Sequence, residues 1–306
     1  MGYGSFFKIL KAFANKPKDT RPVQRLPTSQ IDFKSLDENK NAFIWFGHSS
    51  YFIQVNRIKI LVDPVFSGHA SPFPFMVKSF EGSDILTAAE LPAIDYLLLT
   101  HDHYDHLDFT FVKNIGDKVT KIVCSLGVGK HLVQWGIDPA KITELDWWEQ
   151  FANGGVSFTA VPARHFSGRG LRRMQSLWSA FVLQCDTHKF FLGGDSGYGT
   201  HFRKIAKEFN GFDFAFLEAG QYNELWSTIH MMPEETVQAA LELGAKVLVP
   251  VHWGKFSLAL HSWKDPIERV IKAAENKPLR VCTPKIGELV LMDETFPENN
   301  WWRSVV

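Results

Sequence analysis

The sequence contains few cysteines and no closely spaced pair of them. Cys124, Cys185 and Cys282 are the three present, and no CxxC motif occurs. Disulfide frameworks and thiolate zinc sites need more cysteines or shorter spacings, so the sequence favours neither. We interpret the three residues as reduced, buried thiols of a cytoplasmic protein.

An excess of charge of either sign is also lacking. Lysine plus arginine and aspartate plus glutamate each number 33, so the formal net charge is zero. Proteins that bind nucleic acid carry a basic excess or a basic patch. We therefore expect no nucleic-acid partner.

Long hydrophobic runs are missing too. No stretch approaches the roughly 20 apolar residues of a membrane span. Residues 6–13 are too short and too interrupted by lysine for a secretory signal, so they predict a short helix packed on the body. Peripheral membrane contact through this helix is the alternative. The proline-rich residues 15–27 predict an extended arm.

What the sequence does contain is a concentration of histidine and aspartate directly after a strand. Residues 96–99 form a continuous apolar run, typical of a strand buried on both faces. Burying several such polar groups unpaired is costly, whereas imidazole nitrogens and carboxylate oxygens are good ligands for zinc and related ions. The side chains concerned are His101, Asp102, His103, Asp105 and His106.

Strands and helices alternate along the rest of the chain. Strands are predicted over 43–46, 51–55, 58–62, 121–124, 142–145, 156–161, 180–185, 189–192, 212–217, 247–251 and 288–292, with a tight hairpin at Asn56-Arg57. Helices are predicted over 86–91, 109–116, 129–135, 201–209, 233–243 and 266–275. This pattern predicts an α/β fold with two sheets face to face and helices outside. We expect residues 1–41 to form an N-terminal helix and arm on a single domain of residues 42–306.

Three further predicted strands are followed by a residue that can bind a metal. His165 follows the strand over 156–161, Asp195 the strand over 189–192, and His252 the strand over 247–251. Each has an ordinary structural explanation when taken alone. Together with the first cluster they provide the ligands that two neighbouring ions need. The set is His101, His103, Asp105, His106, His165, Asp195 and His252.

This pattern resembles the HxHxDH signature of the metallo-β-lactamase superfamily, which residues 101–106 match. The resemblance implies a four-layer αβ/βα sandwich with two divalent ions at one edge between the sheets. It also implies that one ion is held by His101, His103 and His165. Asp105, His106 and His252 would hold the second ion, and Asp195 would bridge the two. Zinc is the expected metal, with manganese and iron as alternatives.

Within the superfamily, the sequence resembles the branch of N-acylphosphatidylethanolamine-hydrolysing phospholipase D and ascorbate-6-phosphate lactonase-like hydrolases. The matching segments are GHSS at 47–50, LVDP at 61–64, RHFSGRG at 164–170, IHMMPEE at 229–235 and HWG at 252–254. The resemblance implies a binuclear hydrolase whose metal-bridging hydroxide attacks a phosphodiester, such as that of an N-acyl phospholipid or related small lipid.

Other functions stay open at this point. A lactonase or esterase would use the same metal site. A mononuclear iron oxygenase similar to persulfide dioxygenases is disfavoured by the additional ligands His106 and His252. An α/β-hydrolase is excluded because the sequence has no Gly-x-Ser-x-Gly nucleophile elbow. A homo-oligomer is compatible with the sequence.

Several residues besides the predicted metal ligands are candidates for the reaction. Asp63 is predicted to hold Asp105 or a ligand histidine in place. His230 and His261 are candidates for substrate contact or general acid, and we assign catalytic roles to Asp105, Asp63, His230 and His261. Two residues in the matching segments are predicted to bind a substrate phosphate or carboxylate, namely His48 and Arg169. The aromatic loop over 66–80 is a candidate wall of the substrate pocket.

Overall fold

Two mixed β-sheets packed face to face form the centre of the molecule. The computed structural model describes residues 16–170, 172–294 and 296–306. In chain order, the strands are β1 (Ala42–Trp45), β2 (Tyr51–Val55), β3 (Ile58–Val62), β4 (Ile94–Leu99), β5 (Val119–Ser125), β6 (Ile142–Leu145), β7 (Gln150–Asn153), β8 (Val156–Pro162), β9 (Gly168–Arg169), β10 (Arg172–Arg173), β11 (Ser179–Cys185), β12 (Lys189–Leu192), β13 (Phe212–Glu218), β14 (Ala245–Val251), β15 (Arg280–Val281) and β16 (Leu289–Leu291). The helices are α1 (Phe109–Ile115), α2 (Gly129–Gln134), α3 (His201–Phe209), α4 (Pro233–Glu242) and α5 (Asp265–Ala274).

The strand directions bring the ends of several strands to one edge of each sheet. The first sheet has the order β16-β1-β2-β3-β4-β5-β6, and the second has the order β15-β14-β13-β12-β11-β8-β7. Strands β3 to β6 pair in parallel, and so do β12 to β15. The loops after parallel strands leave a sheet at the same edge, where α/β proteins place their ligands. The loops after β12, β13 and β14 are therefore neighbours.

Each central strand contributes to two hydrophobic layers. Phe43 and Trp45 of β1 lie in the core between the sheets, whereas Ile44 lies in the layer beneath α1 and α2. A third layer packs β11 to β14 against α3, α4 and α5, for example Phe191 against Phe202. Alternate strand residues point to opposite faces, so strands buried on both faces are apolar throughout. The prediction of an α/β sandwich is confirmed.

The predicted elements agree with the structure except in short or exposed segments. Every strand predicted within the described residues, and every helix predicted there apart from 86–91, is present with ends that differ by no more than two residues. The hairpin between β2 and β3 is confirmed, with positive φ angles of 51° at Asn56 and 68° at Arg57. Such a turn matches the twist of paired strands. Among the strands in the described part of the chain, four were not predicted, namely β7, β9, β10 and β15.

The helix predicted over 86–91 is wrong. Thr87 donates its backbone N–H and its hydroxyl to the Glu90 carboxylate, at 2.8 and 2.6 Å, which closes a turn. Pro92 disfavours helical geometry at the residue before it. Lys118 donates to the carbonyl oxygens of Ala88 and Leu91 at 2.7 and 2.6 Å. These hydrogen bonds hold the segment in a non-helical turn.

Residues 16–41 follow the surface of the sandwich and contact the C-terminal end of the chain. The Val23 N–H donates a hydrogen bond to the Val306 carbonyl at 2.9 Å. The Leu26 side chain is buried, and the Leu26 N–H donates to the Glu81 carbonyl at 2.8 Å. The helix predicted over 6–13 lies outside the described residues. None of the described helices is long and apolar enough to cross a membrane.

Candidate metal centre

The structure brings the seven predicted metal ligands together at one edge of the sandwich. His101 to His106 follow β4 of the first sheet, and the remaining ligands follow β8, β12 and β14 of the second. His101 Nε2 and His165 Nε2 lie 3.0 and 3.1 Å from His103 Nδ1. Asp195 Oδ2 lies 3.8 Å from His101 Nε2 and 3.6 Å from His165 Nε2. We call these four residues the first donor group.

A second donor group lies on the other side of Asp195. Asp195 Oδ1 is 3.1 Å from both His106 Nε2 and His252 Nδ1. Asp105 Oδ2 is 3.7 Å from His106 Nε2. The two carboxylate oxygens of Asp195 therefore face different groups, which is the geometry expected of a residue shared between two sites.

The donor atoms fit a divalent cation. Two nitrogens bound tetrahedrally to zinc at 2.0–2.1 Å are about 3.3 Å apart, close to the separations in the first donor group. Among the described residues, His106 Nε2 and Asp195 Oδ1 are buried without a hydrogen bond of acceptable geometry. Leaving buried polar atoms unsatisfied is costly, and a cation between them removes that cost. The first donor group can hold a metal ion, and so can Asp105, His106 and His252 of the second group together with His48. Asp195 and His252 also form a third possible site with Glu218 and His230.

Burial keeps most of these histidines neutral. It lowers the pKa of His103 to about 4, and it lowers the pKa values of His101, His165 and His252 well below the usual range. His106 differs because Asp195 and Asp105 outweigh burial and raise its pKa. Neutral imidazole is the form that binds a metal, so the protein stabilises the ligand form of these rings before any ion binds.

Asp63 orients His106, one of the predicted ligands. Its Oδ2 accepts the Nδ1–H of His106 at 2.8 Å and the Thr100 hydroxyl at 2.6 Å, while Oδ1 accepts the Thr100 N–H at 2.9 Å. Because a carboxylate only accepts, His106 turns its other nitrogen toward the donor group. Of the two partners predicted for Asp63, the structure thus selects a histidine and not Asp105.

His48 lies behind Asp105 and not in the open cleft. Its side chain is fully buried, and its Nε2 is 2.8 Å from Asp105 Oδ2. Burial raises the pKa of Asp105, but His106 and His48 outweigh it and lower that pKa below its usual range. The sequence predicted that His48 contacts the substrate. In the structure it contacts the predicted ligand Asp105 instead.

Arg169 and His261 also lie away from the donor groups. The Arg169 guanidinium packs between the rings of Tyr104 and Trp135 and donates to the Leu107 carbonyl at 2.7 Å. His261 Nε2 accepts the Gln221 N–H at 2.9 Å, and its Nδ1 lies 2.8 Å from the Ser262 carbonyl. Both side chains hydrogen-bond to backbone groups of loops near the site, and so help to hold these loops in place.

A cleft of about 730 Å³ opens over the donor groups. Besides predicted ligands, it exposes mainly apolar side chains and one arginine. Its lining residues other than the predicted ligands are Phe166, Arg173, Met174, Gln221, Trp226, Ile229, His230 and Leu258. The aromatic loop over 66–80 was predicted to form this wall, but its residues line a neighbouring cleft of about 560 Å³ together with Arg169.

A family profile described as the β-lactamase superfamily domain matches residues 58–253. The chain belongs to this superfamily. The match includes the motif at 101–106 and every other predicted ligand, and it confirms the predicted resemblance to the metallo-β-lactamase superfamily.

Several known proteins are similar to this one over most of the chain. A Mycobacterium tuberculosis protein described as uncharacterized is 39% identical over 290 residues, which cover 93% of this chain and 77% of that protein. N-acyl-phosphatidylethanolamine-hydrolyzing phospholipase D 1 of Caenorhabditis elegans is 27% identical over 311 residues, covering 94% of this chain and 87% of the nematode protein. The structure of Igni18, a metallo hydrolase from Ignicoccus hospitalis, shares the fold with a TM-score of 0.63 at 20% identity, covering 82% and 97% of the two chains.

One buried carboxylate beside the superfamily motif was missed from the sequence. Glu218, the last residue of β13, is fully buried, and its Oε2 lies 2.6 Å from Nδ1 of His230. Burial raises the pKa of Glu218 well above its usual range. The rule that found Asp195 and His252 would also have found Glu218, because β13 lies between β12 and β14 and ends at the same edge.

Proposed function

We propose that the protein is a metal-dependent phosphodiesterase that acts on a phospholipid or related small lipid in the 730 Å³ cleft. The observation that carries the proposal is the position of Asp195, whose two oxygens face two donor groups at the base of that cleft. Divalent ions held there supply an activated water and stabilise the charge of a phosphoryl transition state.

The walls of the cleft support an amphiphilic substrate. Phe166, Trp226 and Leu258 offer apolar surface for an acyl chain. The Arg173 guanidinium lies 5.4 Å from the centre of the Phe166 ring, at the edge of the same cleft, where it can pair with a phosphate. The similarity to a nematode phospholipase D named for N-acyl-phosphatidylethanolamine supports the same substrate class.

Residues of the chain have separate tasks in this proposal. Asp63 and His48 hold His106 and Asp105 in position, so that the donor groups are formed before substrate binds. His230 lies in the cleft wall next to His165 and His252, with ring centroids 5.0 and 5.3 Å away, and contacts the substrate. We further propose zinc as the metal, a count of two ions and a cytoplasmic location.

Metal content and turnover, measured together, test the function. The chain is purified without added metal, its metal is quantified by mass spectrometry, and hydrolysis of bis(p-nitrophenyl) phosphate and of an N-acyl-phosphatidylethanolamine in mixed micelles is followed. We expect about two ions per chain and turnover of both substrates. His101→Ala and Asp195→Ala should lose metal and activity, whereas His188→Ala, which lies on the opposite part of the second sheet, should keep both.

Two results would contradict the proposal. One iron per chain without phosphodiester turnover would indicate oxygen chemistry of the persulfide-dioxygenase type. Two ions with hydrolysis of lactones or carboxylic esters, and none of phosphodiesters, would assign the same metal centre to a lactonase or esterase.

A further inference from the structure

We propose that Glu218 is a positioning residue, which fixes the imidazole of His230 so that its Nε2 faces the substrate in the cleft. The inference rests on the proposed function, since it assigns a partner to a residue of that site. Glu218 belongs to neither donor group described above, and one of its carboxylate oxygens lies within 4.8 Å of donor atoms of Asp195, His230 and His252.

The contacts of Glu218 leave its carboxylate no freedom. Oε2 lies 2.6 Å from His230 Nδ1, and Oε1 accepts the N–H of Met231 at 2.8 Å. Its backbone carbonyl accepts the hydroxyl of Thr236 at 2.7 Å, which ties the end of β13 to the first turn of α4. A carboxylate fixed at both oxygens and at its backbone can hold its partner ring in one plane.

The surroundings of His230 decide which nitrogen reaches the cleft. The Glu218 side chain is fully buried, whereas 12% of the His230 side chain is exposed, and this exposed part lines the cleft. The ring nitrogens point in different directions, so a ring with Nδ1 on the buried carboxylate presents Nε2 outward. His230 packs against His165 of the first donor group and His252 of the second.

This position suits contact with the oxygen of the leaving group. During hydrolysis the new bond forms between phosphorus and the oxygen of water, and the bond from phosphorus to the leaving oxygen breaks with its electron pair on that oxygen. When one proton is held between Glu218 Oε2 and His230 Nδ1, the other ring proton is on Nε2. A hydrogen bond from this Nε2–H stabilises the charge that grows on the leaving oxygen, most of all when that oxygen is a strong base, and the proton that water loses ends on the leaving oxygen. An unfixed ring would lose much of this effect, because misplacement of about 1 Å can cost about 100-fold in rate.

Two substitutions of equal size separate positioning from a general structural role. Glu218→Gln keeps the volume and the acceptor for the Met231 N–H, but it removes the acidic group that shares a proton with His230 Nδ1 and with it the negative charge beside the ring. Glu242→Gln is the matched control, since Glu242 is also a largely buried glutamate, bonded to Tyr198 and Arg203 on the outer face of the second sheet. For each variant, metal content and kcat and KM are measured with bis(p-nitrophenyl) phosphate and with the corresponding phenyl diester, whose leaving group is the stronger base.

We expect Glu218→Gln to keep its metal and its KM but to lose about tenfold or more in kcat on the phenyl diester, and less on the nitrophenyl diester. In a His230→Gln background the same substitution should have little further effect, because each change removes the same interaction between Glu218 and His230. Glu242→Gln should behave as the wild type. Loss of metal in Glu218→Gln, equal losses on both diesters, or additive effects with His230→Gln would overturn the inference.

A second readout decides the inference independently of phosphodiesterase activity. In protein labelled with 15N at histidine, the ring N–H of His230 that is bonded to Glu218 should give a proton resonance strongly shifted downfield. It should disappear in His230→Gln and move in Glu218→Gln, but not in Glu242→Gln. An unchanged resonance in Glu218→Gln would overturn the inference even if the protein proves to be a lactonase.

Discussion

At the scale of single residues, the site depends on the partners that hold each ring. His106 is oriented by Asp63, and His165 lies with Nδ1 3.0 Å from the Ile229 carbonyl, which turns its Nε2 to the first donor group. Partners of this kind fix the tautomer of a ligand and make it a better base. We therefore expect these partners to affect metal affinity without touching the metal.

Asp63→Asn should weaken metal binding by about 10–100-fold. The new amide would offer a donor to the Nδ1–H of His106, so the ring must turn or change tautomer. Affinity is measured by competition with a chromophoric chelator. Asp213→Asn is the control, because Asp213 also accepts a backbone N–H, from Lys189 at 2.8 Å, but at the opposite end of β13. Equal affinities of wild type and Asp63→Asn would contradict the assigned role.

His201 should make the fold less stable in weak acid. Burial, aided by Arg164, lowers the pKa of His201 to about 4, while the unfolded ring titrates near 6.5. Between these values the unfolded state binds more protons, so stability falls as the pH drops from about 6.5 toward about 4. At pH 5 the loss should be about 1–2 kcal/mol relative to pH 7.

Urea unfolding of wild type and His201→Gln at pH 7 and pH 5 tests this. The variant should lose less stability between the two pH values than the wild type does. The histidines of the donor groups are present in both proteins, so their effect cancels in the comparison. Parallel pH dependence of the two proteins would show that His201 does not contribute.

At the scale of elements, the C-terminal 3₁₀ turn (Trp301–Ser304) closes one end of the inter-sheet core. Trp302 is fully buried and donates Nε1–H to Glu268 of α5 at 2.8 Å, and Trp301 stacks on Trp253 at 5.5 Å. Trp253 directly follows the predicted ligand His252, so this turn supports the loop that carries a ligand.

Trp302→Ala should destabilise the protein by about 3–5 kcal/mol, through lost burial and the cavity left behind. Arg303→Ala is a close control, because Arg303 pairs with the same Glu268 at 2.6 Å but is half exposed. An exposed ion pair contributes about 1 kcal/mol or less. Free energies of unfolding from urea titration provide the comparison, and equal losses would refute the structural role given to Trp302.

The elements also show where sequence patterns succeed. Strands with long apolar runs, such as β4 and β14, were predicted because burial on both faces requires apolar residues throughout. β7 is largely exposed and β15 has two residues, so neither carries such a pattern. The segment 86–91 has helical periodicity, but side-chain hydrogen bonds from Thr87 and Lys118 hold it in another conformation.

At the scale of the whole molecule, the donor groups join the two sheets. His101, His103, Asp105 and His106 come from the first sheet, and His165, Asp195 and His252 come from the second. An ion bound by residues of both sheets opposes their separation. Binding to the folded state alone stabilises it by RT ln(1 + [L]/Kd), about 4 kcal/mol at 1,000 times Kd.

Metal should therefore raise the unfolding temperature by roughly 5–10 °C. Thermal unfolding is compared for protein dialysed against a chelator and for the same protein with zinc restored. His101→Ala should abolish the rise, while His188→Ala should retain it. A midpoint that does not respond to zinc in the wild type would contradict the assignment of these residues as a metal centre.

The sequence by itself determined the two sheets, their outer helices, and the seven residues that meet at one edge. It could do so because apolar periodicity depends on local geometry, and because a motif such as 101–106 places several ligands within a few residues. The strand ends before His165, Asp195 and His252 were visible as the points where apolar runs stop.

Only the tertiary structure decided what surrounds these ligands. It placed His48 behind Asp105, tied both ring nitrogens of His261 to backbone groups, packed Arg169 between two aromatic rings and brought Glu218 to His230. Each of these contacts joins residues from different elements of the chain. Such contacts depend on sheet order and loop path, which a local pattern does not encode, and they determine which polar side chain meets substrate and which supports a neighbour.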